Sequence, residues 1–64
     1  MIGKHIKEIR EGKKISIDTL STLSNVQGYR IKRLENDEVN ITLKTLNSIL
    51  AALGKKIVIE DDKR

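Results

Sequence analysis

The sequence predicts an all-α fold of four or five short helices, followed by one short β-strand near the C-terminal end. Apolar residues recur every three or four positions between residues 2 and 53, which is the spacing of one helix face. Helix-capping residues divide this region into segments, and three β-branched residues follow it at 57–59. At 64 residues the chain suffices for one domain with a thin core.

A basic turn separates the first two predicted helices. Three isoleucines have the i, i+4, i+7 spacing of the first inner face: Ile2, Ile6 and Ile9. Gly12 and two lysines end that helix, and Ser16 is a favourable N-cap for the second. Asn25, which tolerates the left-handed conformation, ends the second helix. Its inner face consists of Ile17, Leu20 and either Leu23 or Ser24.

The third predicted helix covers about residues 28–36, with Ile31 and Leu34 facing inward. Thr42 caps a fourth helix, and Gly54 is placed to end it. The predicted core stripe of the fourth helix consists of Leu43, Leu46, Ile49, Leu50 and Leu53.

The helical spacing of apolar residues ends before residues 55–60, and the β-branched run within them predicts a strand. A single strand cannot satisfy its own backbone groups, so it either pairs with a copy of itself across a dimer or is a frayed tail. The first alternative predicts an interface at Ile57, Val58 and Ile59. We therefore divide the chain into a helical domain, 1–54, and a dimerisation strand with a charged tail, 55–64.

The composition excludes several classes of site. The chain has no cysteine and one histidine, His5, so we expect no disulfide, metal site or cofactor. It has no glycine-rich phosphate loop and little room for a substrate pocket, so we expect no enzymatic activity. Oligomerisation remains as the way to reinforce so small a core. Because the chain has neither a long apolar segment nor a signal peptide, we expect a cytoplasmic protein without membrane association.

The charge is concentrated in the first half of the chain. Residues 1–33 hold eight basic and three acidic side chains, whereas residues 34–64 hold five basic and six acidic ones. A basic half fits a polyanionic partner, either nucleic acid or an acidic membrane surface. The alternative is that these cations only keep a small helical domain in solution. A membrane surface is disfavoured because no helix combines a basic face with aromatic anchors.

Residues 17–36 meet the four requirements of a helix-turn-helix. Ser21 is small enough for the second helix to pack against it, and Asn25 accepts positive φ in the turn. Val26 follows as the apolar turn residue, and Ile31 and Leu34 give the second helix an apolar inner face.

The segment from Ile2 to Gly54 resembles the Cro/repressor-like (Xre-type) helix-turn-helix family. The resemblance is carried by residues 2–10, 16–21, 25–26, 31–36, 42–46 and 52–54. It implies a repressor-like DNA-binding domain that acts as a dimer, with the third helix in the major groove of operator DNA. It also implies an ion pair between the first and third helices, formed by Arg10 and Glu35.

In this docking mode the outer face of the third helix contacts DNA. Arg33 could donate two hydrogen bonds to guanine, and Tyr29 offers a hydroxyl or ring to a base edge or thymine methyl. Gly28 either permits close backbone approach or contributes nothing to specificity. The family often has glutamine where this chain has Ile17, so the phosphate contact of that glutamine is not expected here. The candidates for phosphate contacts are Gln27, Arg30, Lys32 and Asn36.

The region from residue 40 to residue 59 resembles HipB-type antitoxins, in which the C-terminal strand pairs across the dimer. Together these features predict a homodimeric transcriptional regulator, acting as a repressor on a palindromic operator of double-stranded DNA. The alternative is an antitoxin or protein-interaction module whose main role is to bind a cognate toxin.

Overall fold

The computed structural model describes residues 2–58, and within them the chain forms four helices and no strand. α1 spans Ile2–Gly12, α2 spans Ile17–Ser24, α3 spans Gly28–Glu35 and α4 spans Leu43–Ala52. α2 packs against both α3 and α4, and α3 also packs against α1. The prediction of an all-α fold is confirmed, with four helices. The third ends one residue earlier than predicted, with Asn36 as its C-cap.

Local hydrogen bonds explain where the helices begin and end. Ser16 and Thr42 are N-caps whose hydroxyl oxygens accept from the amide three residues later, at 3.0 and 3.1 Å. Asn25 ends α2 in the left-handed conformation with φ 59°, and Gly54 follows α4 with φ 72°. All four boundary residues were predicted from the sequence, and all four are confirmed.

The core lies where α2, α3 and α4 meet the inner side of α1. Its fully enclosed members are aliphatic, and each helix contributes at least one of them. Burying such side chains stabilises the domain by about 1.5–3 kcal/mol each. The buried apolar residues are Ile6, Leu20, Ile31, Leu34, Ile49, Leu50 and Leu53.

Two predicted core residues are exposed instead, and at a third position the structure decides between the two predicted alternatives, Leu23 and Ser24. Ile2 is 45% exposed and Leu43 is 62% exposed, because each is the first residue of its helix and projects beyond the neighbouring helices. Leu23 is 58% exposed, and Ser24 takes the inner position of α2. The Ser24 hydroxyl donates to the carbonyl oxygen of Leu20 at 2.7 Å, so its burial leaves no unsatisfied donor.

The predicted strand is not formed in the part of its sequence that the structure describes. Residues 55–58 have no regular secondary structure; Ile57 is half-buried and Val58 is 65% exposed. Ile59 and the charged tail lie outside the described residues, as does Met1. Pairing of this segment with a second chain remains a prediction.

Close contact between α1 and the end of α3 depends on Gly3. A Cβ atom there would overlap the carbonyl oxygen of Leu34, so only glycine fits without a shift. The Gly3 amide donates to the Asp37 carboxylate at 3.2 Å, and Asp37 itself has φ 57°. This contact fixes the first turn of α1 against the C-terminal end of α3.

Candidate nucleic-acid interface

The α2–turn–α3 unit has the geometry of a helix-turn-helix. Asn25 turns the chain, and Val26 packs its half-buried side chain against the core. The Gln27 carbonyl then accepts hydrogen bonds from two amides in the first turn of α3, at 3.0 and 3.1 Å. A Cβ built on Gly28 would lie 4.0 Å from the Cβ of Ser21, so α3 begins directly beside α2. The helix-turn-helix predicted from residues 17–36 is therefore present.

A buried ion pair connects α3 to α1. Arg10 Nε lies 2.6 Å from Glu35 Oε2, and Arg10 Nη2 lies 3.0 Å from Glu35 Oε1. The third donor, Nη1, reaches the carbonyl oxygen of Ile15 at 2.8 Å. Arg10 and Glu35 are 8% and 5% exposed. The two residues predicted to pair thus meet in a bidentate geometry, which is the most directional form of an arginine–carboxylate contact.

The hydrogen bonds that Arg10 donates to the Glu35 carboxylate raise the pKa of Arg10 above its ordinary value, although burial acts in the opposite direction. Arg10 is therefore a permanent cation that holds the C-terminal end of α3 against α1 and the α1–α2 loop. Because Glu35 is the last residue of α3, the pair fixes the orientation of the whole helix.

The opposite face of α3 is open to solvent and basic. Tyr29 is 62% exposed, and Arg33, four residues later, lies on the same face and is also exposed. Lys32 is exposed beside them. Within residues 2–58 no carboxylate lies within ion-pair distance of these two cations. Tyr29, Lys32 and Arg33, here called the α3 outer face, therefore present an uncompensated positive charge and one aromatic ring.

The remaining predicted phosphate contacts have different surroundings. Gln27 is exposed, and its side chain makes no capping hydrogen bond. The Asn36 side-chain amide donates to the Glu38 carboxylate at 3.2 Å, so a negative charge lies beside that predicted contact. Of the two, Asn36 uses its side chain in a hydrogen bond within residues 2–58, whereas Gln27 does not.

Arg30 lies on the side of α3 that faces α4. It lines a cleft of about 660 Å³ together with Lys44, a cation from the first turn of α4 that the sequence analysis did not single out. The other lining residues carry mainly hydroxyl and amide groups: Ser24, Asn25, Val26, Gln27, Thr45 and Ser48. The spacing of Lys44 after the Thr42 cap placed it on a helix, but only the packing of α4 against α2 brings it to the cleft that Arg30 also lines.

Two further features are absent from the described part of the chain. None of the helices there has the length and apolar character that a membrane span requires. Residues 2–58 also bring together no three acidic or histidine side chains that could hold a metal ion.

Comparison with known proteins identifies one family. The helix-turn-helix family matches residues 6–59, which includes α2, the turn, α3, the Arg10–Glu35 pair and α4. No curated protein and no solved structure matches the chain.

Proposed function

Because the chain belongs to the Xre-type helix-turn-helix family, whose members are DNA-binding transcription regulators, we propose that it represses transcription from a palindromic operator as a homodimer. The observation that carries this proposal is the exposed, unpaired basic face of α3, opposite a face that a buried ion pair holds in place.

The α3 outer face is suited to base contacts. When α3 lies in the major groove, the Arg33 guanidinium can donate to O6 and N7 of one guanine. Tyr29, one turn earlier, can place its ring or hydroxyl against a neighbouring base edge. Lys32, on the same face of α3, contacts a phosphate at the edge of the major groove. A helix fixed by Arg10 and Glu35 loses little freedom on binding, which favours affinity.

The proposed contacts to the DNA backbone lie around the α3 outer face. Gln27 precedes α3 and Asn36 follows it, so we propose phosphate contacts for both at the rims of the groove; the Asn36 amide would have to exchange its hydrogen bond to Glu38 for one to the phosphate. Arg30 is placed with Lys44 in the polar cleft beside α4, where two cations and several hydroxyl groups suit a phosphate of the same strand. Because each phosphate neutralised by a cation releases counterions, Arg30 and Lys44 contribute affinity that falls with salt.

Dimerisation is supported by the exposed apolar segment after α4. The Lys55 amide donates to the carbonyl oxygen of Leu50 at 2.8 Å and so continues from α4. Beyond it, Ile57 is half-buried and Val58 is 65% exposed, and their backbone groups belong to no helix or sheet of the described chain. Pairing residues 57–59 with the same segment of a second copy would satisfy those groups and cover the apolar side chains. The operator half-sites would then lie about 34–36 Å apart, or at a multiple of that distance.

A salt series tests the DNA-binding proposal. Duplexes are first selected from a randomised double-stranded pool, and the Kd of the best duplex is measured by fluorescence anisotropy at several salt concentrations. We expect a linear fall of log affinity with log salt, with a slope of about −0.9 for each phosphate contacted. Failure to bind any duplex at low salt would exclude the proposal.

Val58→Pro tests the dimer. Proline removes a backbone donor and interrupts strand pairing, so we expect a concentration-dependent shift from dimer to monomer in sedimentation equilibrium. Leu43→Ala, which shortens another exposed apolar side chain outside the segment, is the matched control and should leave the dimer intact. A V58P dimer as stable as that of the wild type would show that the segment is not the interface.

Two exposed leucines favour a second candidate function, the binding of a toxin partner. Leu23 and Leu43 are 58% and 62% exposed, and neither belongs to the α3 outer face or to the 57–59 segment. A toxin encoded by an adjacent reading frame should co-purify with the wild-type chain and be released by Leu23→Ala. Co-purification unaffected by changes at both leucines would exclude this candidate.

A further inference from the structure

Gly28, the first residue of α3, is not required by the fold. Its φ is not positive, unlike that of Gly54. A Cβ built on it would make only ordinary contacts, at 3.5 Å from Ile17 Cγ2, 3.9 Å from Asp18 Oδ1 and 4.0 Å from Ser21 Cβ. Glycine is also a poorer helix residue than alanine. Within the chain, glycine at this position therefore lowers stability without improving any contact.

The missing side chain leaves a notch between the first turns of α2 and α3. We call it the Gly28 notch: the space over the Gly28 Cα, bordered by Ile17, Asp18 and Ser21. Its nearest wall is a methyl group of Ile17, a half-buried side chain packed against the core and thus held in place. The notch therefore has one fixed apolar wall, and without a Cβ an external group can approach the Gly28 Cα to van der Waals distance, which a side chain would prevent.

The charge around the notch decides what it can hold. The nearest charged group is the Asp18 carboxylate, so a phosphate oxygen would be repelled. An apolar group with a hydrogen-bond donor nearby fits both the Ile17 methyl and the carboxylate. In the major groove a T·A pair presents such a combination, the thymine 5-methyl group and the adenine N6 amino group.

We propose that the Gly28 notch seats the 5-methyl group of one thymine in each half-site, against Ile17. This specificity rests on the proposed function, since it requires α3 in the major groove. Glycine at position 28 then has a reason outside the chain: it allows the base edge to approach the helix backbone more closely than alanine would. The notch adds a third base contact to those of Tyr29 and Arg33.

Thymine-to-uracil replacement tests the proposal because it removes only the methyl group. Each thymine of the selected duplex is replaced in turn by uracil, and the Kd is measured for the wild type and for Gly28→Ala. At one thymine per half-site the wild type should lose about fourfold in affinity, the value for one buried methyl-sized group. G28A should bind the thymine duplex more weakly than the wild type does. It should bind the duplex with uracil at that position at least as well as it binds the thymine duplex.

Gly12→Ala is the matched control, because a Cβ at that position meets nothing within 4 Å. Thermal unfolding should show that neither G28A nor G12A lowers Tm, so a weaker G28A complex would not reflect loss of folding. G12A should keep both the wild-type affinity and its preference for thymine.

The outcomes separate the notch from the function on which it rests. If the wild type selects a duplex but no thymine-to-uracil change costs affinity, the notch assignment is wrong and the proposed function stands. The same holds if G28A keeps the full thymine preference. If no duplex is selected at any salt concentration, both the function and the notch are excluded.

Discussion

Glu35→Ala is expected to lower the free energy of unfolding by about 3–5 kcal/mol, because it leaves the Arg10 cation buried without a partner. A chain of 64 residues has a total stability of only about 3–10 kcal/mol. The variant should therefore lose between about a third and all of its stability. Urea unfolding followed by far-UV circular dichroism measures the effect.

Two further variants show whether the unpaired charge is the cause. Arg10→Met combined with Glu35→Leu removes both charges and should recover much of the lost stability, as apolar replacements of buried ion pairs do. Recovery should be incomplete, since the carbonyl oxygen of Ile15 loses its donor. Glu8→Ala, which removes an exposed acid of α1, should change stability by less than about 0.5 kcal/mol. An E35A variant as stable as E8A would contradict the account.

The pH dependence of this pair has a defined sign. Because pairing raises the pKa of Arg10, the stabilisation that Arg10 gains is complete below the ordinary arginine pKa and is lost only above the raised one. Titration of Arg10 should thus cause no loss of stability between neutral and mildly alkaline pH.

Arg33→Ala is expected to produce the largest loss of DNA affinity among changes on the α3 outer face. A bidentate guanine contact discriminates by about 1–3 kcal/mol, which corresponds to about 5- to 150-fold for each half-site. In a homodimer the change occurs twice, so the two losses multiply. Competition binding at fixed salt, with duplexes altered one base pair at a time, should also show relaxed preference at a single position.

Lys32→Ala and Lys7→Ala provide the comparison. Lys32→Ala should weaken binding to all duplexes about equally and lower the magnitude of the salt slope by about one for each half-site, which is about two in the dimer. Lys7 is an exposed cation on α1, outside the α3 outer face, and its replacement should have little effect on affinity or preference. Equal, sequence-independent losses for R33A and K32A would show that Arg33 contacts a phosphate and not a base.

The features that the sequence predicted well depend on local interactions. Ser16 and Thr42 cap helices through amides three residues away, and Asn25 turns the chain through its own backbone angles. The relation of Arg10 to Glu35 came from the family resemblance, because no local rule connects residues 25 positions apart.

The features that the sequence did not predict depend on which helix covers which residue. Periodicity placed Leu43 in the core and left Leu23 and Ser24 as alternatives, but burial depends on the neighbouring helices. Lys44 becomes a candidate only when α4 packs beside α2. The space over Gly28 is likewise visible only once the first turns of α2 and α3 are adjacent.

Recognition of a base sequence by α3 is tested most directly by the ratio of two affinities, one for a selected duplex and one for an unrelated duplex. The Kd of the wild-type chain is measured for the selected duplex and for a scrambled duplex of equal composition, both at physiological salt. We predict a ratio of about 10³ or more, as for other sequence-specific regulators. A ratio near one, with both complexes equally sensitive to salt, would show that the basic face of α3 binds DNA without recognising its sequence.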